Sequence, residues 1–178
     1  TVEAKMKVKG YSDMMGRNYK TEYTDGTYSI NHYNTKNQGS KSVTPGGVTT
    51  LYEYDAIGRQ TKQAIDMNDN GAIDAADLVT ATAYSYGTQD NATVSITTQT
   101  RSQGSNSAVI SIQKQSVDGL ESWSTDLNGL NTHTELERLG NGVTRQTVTH
   151  PDGTKQVTNT LNGRTTSVQQ HHADGTRG

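Results

Sequence analysis

The chain has 178 residues and carries 16 Lys and Arg against 18 Asp and Glu, a formal charge of −2, and this near-neutrality argues against nucleic acid or an anionic membrane surface as the main partner. Hydrophobic residues make up 29% with no Phe and one Trp, and Leu, Ile and Val together reach about 15%, below the floor of about 20% usual for folded domains, so a large apolar core is excluded. Disorder normally brings high net charge or many prolines, whereas here there are 2 Pro and 9 Tyr, and the expectation is a folded, thin, all-β chain. Cysteine is absent, which removes disulfides, thiol nucleophiles and Cys-ligated zinc. No apolar run approaches the ~18 residues of a membrane span, and a start at Thr1 without Met or a leader reads as a segment of something longer.

Residues 1–65 read as Tyr-rich hairpins. Thr21 to Tyr28 is a strand, an Asp25-Gly26 turn and a second strand, and Tyr11, Tyr19, Tyr23, Tyr28 and Tyr33 recur along these strands. Tyr is a flat amphipathic body whose hydroxyl still finds a partner, which suits a sheet with little apolar core. Cross-strand packing is the first reading of these rings and a carbohydrate-stacking platform the second.

The stretch Leu51-Tyr52-Glu53-Tyr54-Asp55-Ala56-Ile57-Gly58-Arg59-Gln60 fits a hairpin in which Tyr54-Asp55 ends one strand. Asp55 caps the turn, Gly58 takes a conformation closed to other residues, and Arg59 opens the returning strand, placed to bond either Asp55 or the backbone across the turn. It resembles the YD repeat of the RHS-repeat family, Tyr-x-Tyr-Asp-x-x-Gly-Arg, at every position of that short motif. Tyr23-Thr24-Asp25-Gly26-Thr27, the Asp-Gly-Thr at Asp152 and Asp174, and Asn162-Gly163-Arg164 resemble degenerate hairpins between full repeats. The resemblance implies a long β-ribbon spiralling into a hollow shell, in large secreted or surface proteins of bacteria and related animal adhesion proteins. In bacterial toxin members the shell encloses a toxic C-terminal domain; no such cargo is legible here.

Residues 66–80 read as a calcium loop with a short helix. Counted from Asp66, oxygen side chains fall at positions 1, 3, 5, 9 and 12 (Asp66, Asn68, Asn70, Asp74, Asp77), Gly71 stands at 6, Ala72 offers its carbonyl at 7, and Ile73 is apolar at 8. This is the spacing of an EF-hand-type loop, because a hard cation wants six to eight oxygens and only a loop turned at Gly gathers them around one point. Asp77 in place of a bidentate Glu, and the lack of an entering helix, resemble the dockerin repeat, in which an Asp at the twelfth position begins a short exiting helix. Ala75 to Thr80 is expected to form that turn. Dockerins pair two loops and this chain has one, so cohesin binding is not implied. Asp69 lies outside the ligand pattern and is expected to face solvent. Three carboxylates and two amides point to modest affinity, Kd ~10⁻⁴ to 10⁻⁶ M, suited to millimolar extracellular calcium. A metal-free Asn/Asp-rich turn is the alternative.

Residues 81–178 read as Thr- and Gly-rich hairpin repeats. The polar stretch from Gly87 to Ser107, with a strand at Thr93 to Thr100, is either a long hairpin or an exposed loop. Beyond it, Asp118-Gly119, Asn128-Gly129, Asn141-Gly142, Asp152-Gly153, Asn162-Gly163 and Asp174-Gly175 recur every 10 to 13 residues. Each is expected to be a two-residue type I′ turn between short antiparallel strands. Thr144, Gln146 and Val148 alternate with Arg145, Thr147 and Thr149, the period of a strand, yet both faces are polar. Such a sheet needs neighbouring β-repeats from a parent protein or from copies of itself. Trp123 is expected to pack on a neighbour. His32, His133, His150, His171 and His172 show no metal spacing, and the adjacent pair would face opposite sides of a strand. Glu121, Glu135 and Glu137 read as solvated residues of hairpin strands.

The sequence reading is therefore a non-enzymatic structural segment of a large secreted or cell-surface RHS-type protein, a calcium-stabilised β-shell or surface structure with Ca²⁺ as its one cofactor. The alternatives are a self-assembling extracellular filament subunit and a glycan-binding adhesion module.

Overall fold

The computed structural model describes residues 8–177; the expected N-terminal hairpin region extends to residues 1–7, which lie outside them. Fourteen antiparallel strands follow one another in chain order with no crossover, and there is no helix among the described residues, hence none long and apolar enough to cross a membrane. The first six are β1 (Lys9–Ser12), β2 (Asn18–Glu22), β3 (Tyr28–Tyr33), β4 (Gly39–Val43), β5 (Thr49–Tyr54) and β6 (Gln60–Ile65). Three longer strands follow, β7 (Leu78–Gln89), β8 (Ala92–Gln103) and β9 (Asn106–Ser116). Then come β10 (Glu121–Thr125), β11 (Asn131–Gly140), β12 (Val143–Thr149), β13 (Lys155–Leu161) and β14 (Arg164–His171). The polar stretch around Gly87 to Ser107 is thus a long hairpin rather than a loop. The chain forms two compact units, Thr1–Thr82 with Arg101–Ser107, and Ala83–Thr100 with Ala108–Gly178.

Most connections share one geometry. In the loop Asp13–Arg17 the Gly16 amide donates to the Asp13 carbonyl and the Asp13 amide to the Arg17 carbonyl. The same two bonds recur in the loops opened by Tyr23, Asn34, Thr44, Asp55, Asp126, His150 and His172. This is a three-residue hairpin loop, a tight turn closed by one residue of positive φ. The dipeptide pattern therefore needs correction. Asn141-Gly142 (φ 51° and 75°) and Asn162-Gly163 (49° and 79°) are two-residue turns of the expected kind, and Asp90-Asn91 (49° and 67°) joins them. In Asp118-Gly119, Asn128-Gly129, Asp152-Gly153 and Asp174-Gly175 only the Gly has positive φ, because the turn has already started two residues before it.

The first unit is a repeat of 21 residues. Asp13, Asn34 and Asp55 open equivalent loops, closed by Arg17, Gln38 and Arg59. Neighbouring repeats are tied side by side: the Tyr33 hydroxyl donates to the Asn18 carbonyl and the Tyr54 hydroxyl, one repeat later, to the Gly39 carbonyl, both at 2.8 Å. At the rim, Arg17 Nη1 donates to Asn37 Oδ1 at 2.5 Å and Gln38 Nε2 to the Gly58 carbonyl at 3.4 Å. Within the third repeat Asp55 caps the hairpin turn and pairs with Arg59. Gly58 has φ 92°, Asp55 Oδ1 accepts the Ile57 and Arg59 amides, and Arg59 Nε donates to Asp55 Oδ2 at 2.7 Å.

Burial is sparse. The buried apolar side chains among the described residues are Leu51, Ala64, Val79 and Val94. Leu51 stands opposite Ala64, and Ala64 opposite Val79, so three of them form one row across β5, β6 and β7. That row ends the strands from which the loop 66–77 emerges.

Candidate metal centre

On the rim opposite the loops opened by Asp13, Asn34 and Asp55, five residues separate β2 from β3 and β4 from β5. The third place on that rim, between β6 and β7, is taken by the longer segment Asp66 to Asp77. Its ends are fixed by the sheet: Ile65 pairs with Leu78, and the Asp66 amide donates to the Thr49 carbonyl at 3.0 Å. Asp77 is fully buried and Asp66 retains 8% exposure. Both carboxylates accept backbone amides of the loop itself. Asp66 Oδ1 accepts from Asn70 at 3.2 Å and Oδ2 from Gly71 at 2.9 Å. Asp77 Oδ1 accepts from Met67 and Oδ2 from Asp74, each at 3.0 Å. Gly71 (φ 76°) and Asp69 (φ 53°) supply the left-handed residues that fold the loop back.

The remaining expected ligands meet at the exposed side of the loop. Asp74 Oδ2 accepts Asn68 Nδ2 at 3.1 Å and Asn70 Nδ2 at 2.6 Å, and Asp74 Oδ1 accepts the Ala76 amide at 2.7 Å. These bonds, the Ala76 amide first and then the two side-chain amides, hold the Asp74 carboxyl below its ordinary pKa. The Ala72 amide donates to Asn70 Oδ1 at 2.8 Å. Among the described residues no three acidic, His or Cys side chains stand close enough to hold a metal as they are placed. Asp74 is turned toward two amide nitrogens, whereas Asp66 and Asp77 are fixed at the loop base. Turning the Asn68 and Asn70 amides by half a turn would bring oxygen to those points at the loss of the bonds that Asn70 Oδ1 accepts from the Ala72 amide and Asn68 Oδ1 from the Asn70 amide; the oxygen donors themselves are of the type a hard cation takes.

The helical turn expected after the loop is absent. Ala75 and Ala76 form a turn closed by the 3.4 Å bond from the Asp77 amide to the Asp74 carbonyl, and β7 starts at Leu78. Leu78 and Val79 find partners in Ile65 and Ala64, and the alternation of Leu78, Thr80, Thr82 and Tyr84 with Val79, Ala81 and Ala83 favours a strand over a helix. Asp69 is exposed, as expected. One contact gave no signal in the sequence: the Gly104 amide, at the tip joining β8 to β9, donates to the Ala75 carbonyl at 2.7 Å.

Elsewhere, Trp123 packs on its cross-strand partner His133, ring centroids 4.9 Å apart and 6° from parallel, with Glu121 Oε2 3.2 Å from His133 Nε2. One face of the lone Trp is therefore taken by an internal neighbour. Glu137 pairs with Arg145 at 3.2 Å. His150, His171 and His172 line one pocket; His171 ends β14 and His172 opens the next turn. No family model matches the chain, and no curated protein matches it.

Proposed function

We propose that this is a non-enzymatic, extracellular β-repeat segment of RHS type, in which one calcium ion is bound by the side chains of Asp66, Asn68, Asn70, Asp74 and Asp77 and the carbonyl of Ala72. The observation that carries the reading is the burial of Asp66 and Asp77, two carboxylates at the ends of one loop whose acceptor bonds come from uncharged backbone amides. Charge buried in this way is costly unless something offsets it, and a divalent cation does so while using the oxygens that the 1, 3, 5, 7, 9, 12 spacing provides. The RHS-type reading is supported by the 21-residue repeat and its Tyr-Asp-x-x-Gly-Arg hairpin at Tyr54 to Arg59. Bound calcium adds about 2.7 kcal/mol at a hundredfold excess over Kd, a substantial supplement for a sheet with four buried apolar side chains among the described residues.

Calorimetric titration with calcium, alongside thermal melts, tests this. Binding is expected with a rise in Tm of roughly 5–10 °C at saturation, weakened in Asp74→Asn and lost in Asp66→Ala. A wild-type chain that neither takes up calcium nor melts higher in its presence would sink the reading.

The open strand order gives a second reading. Among the described residues β1 and β14 are the outermost strands, and unpaired edges recruit further strands, from a parent protein or from copies of the chain. Light scattering and electron microscopy separate the two: filaments support self-assembly, and monomers at high concentration exclude it.

A further inference from the structure

We propose that the Asp66–Asp77 loop is the dock for the β8–β9 hairpin, and that cation occupancy sets how firmly that hairpin is held; this rests on the calcium reading above. Residues Arg101–Ser107, the hairpin tip, group with the first unit, whereas the strand residues on either side of them group with the second. Gly104 turns the tip with φ 61°, and its amide is bonded to the Ala75 carbonyl at 2.7 Å. Arg101, Gln103, Gly104, Ser105 and Asn106 are exposed, so apolar burial does little to keep the tip in place.

Ala75 sits where both carboxylates at the end of the loop fix the backbone. The Asp74 amide donates to Asp77 Oδ2 at 3.0 Å, the Asp77 amide to the Asp74 carbonyl at 3.4 Å, and the Ala76 amide to Asp74 Oδ1 at 2.7 Å. The loop's carbonyl ligand would be that of Ala72, so the Ala75 carbonyl stays free to accept Gly104 while the ion is bound. Without the ion, three carboxylates share one small loop with no counter-charge, and their repulsion loosens the turn that presents the Ala75 carbonyl. Because a cation stabilises the conformation that offers this acceptor, it stabilises the docked hairpin by linkage.

Hydrogen exchange on the full chain, read by NMR or mass spectrometry in calcium and in chelator, tests the coupling, with calorimetry in the same buffers. Calcium is expected to slow exchange at Gly104 about fivefold or more, to slow tryptic cleavage after Arg101 in parallel, and to leave β13 and β14 unchanged. In Asp74→Asn, at calcium too low to fill the weakened site, both effects should disappear. Calorimetric binding with protection at Met67 and Gly71 but an unchanged rate at Gly104 overturns the dock and leaves the calcium site standing. Absence of binding in the wild type overturns both.

Discussion

Aspartate does two different jobs in the turns of this chain, decided by where it stands in the loop. At the first position, Asp13, Asp55 and Asp126, with Asn34 in the same role, accept the amides two and four residues on. At the third position Asp25, Asp152 and Asp174 accept both the amide and the hydroxyl of the Thr that follows the Gly. Asp55→Ala removes the acceptor of two amides and an ion pair and is expected to lower the midpoint of urea denaturation. Asp55→Asn keeps the amide acceptor and is expected to cost less than half of that; equal costs would show that the Arg59 pair, not the cap, matters. These bonds also make the carboxyls more acidic than in an unfolded chain: Asp13 through the Arg17 side chain, Asp25 and Asp152 through the hydroxyls of Thr27 and Thr154, Asp174 through the Thr176 amide. With folded pKa values depressed, the unfolded chain binds more protons in acid, so the stabilisation is present above about pH 4 and is lost as pH falls through the folded values. Tm at constant ionic strength is expected to be flat from about pH 7 to 5 and to fall below about pH 4. A curve still flat at pH 3 would contradict this.

At the scale of elements, the end of the first strand in the second and third repeats has a physical role. Its Tyr is the residue that ties one repeat to the one before, by a hydroxyl bonded to a backbone carbonyl at the start of the preceding repeat's second strand, as Tyr54 does to Gly39 and Tyr33 to Asn18. Tyr54→Phe is expected to cost about 1 kcal/mol, whereas Tyr86→Phe, whose residue is 77% exposed, should fall within about 0.5 kcal/mol of the wild type; both are read from denaturant midpoints. The existence of hairpins was legible in the Asn-Gly and Asp-Gly pairs, but the length of their loops was not. The dipeptide is shared by two-residue and three-residue turns, and what separates them is the residue three places before the Gly: Asp126 before Gly129, His150 before Gly153. The spacing of oxygen side chains from Asp66 to Asp77 is legible in the sequence because the residue types themselves carry it. The helix expected after Asp77 failed because cross-strand pairing of Leu78 and Val79 prevails over local propensity. The docking of Gly104 had no side-chain signature at all, since it is a backbone amide meeting a backbone carbonyl.

Across the whole molecule, stability is spread over many hydrogen-bonded pairs with little apolar burial beneath them. Composition excluded a large core, and among the described residues three of the four buried apolar side chains form one row, Leu51, Ala64 and Val79, where the first unit's strands meet the loop. Leu51→Ala is therefore expected to cost about 2–4 kcal/mol, against less than about 1 kcal/mol for Leu130→Ala, half exposed in a turn. Comparable losses would mean that Leu130 is covered by something outside this chain.

A meander in strict chain order also dictates how the chain folds in time. Each strand meets its partner after a loop of a few residues, so contacts are local and the sheet zips from any hairpin outward at low entropic cost. The twelve residues between Ile65 and Leu78 are the exception. Closing them costs about 0.8 kcal/mol more than closing a five-residue loop, which places a kinetic step between the β1–β6 and β7–β14 segments. A cation that gathers the loop early would lower that step, so on the calcium reading proposed above the ion is expected to speed refolding. Stopped-flow refolding rates unchanged by calcium would place loop closure after the rate-limiting step.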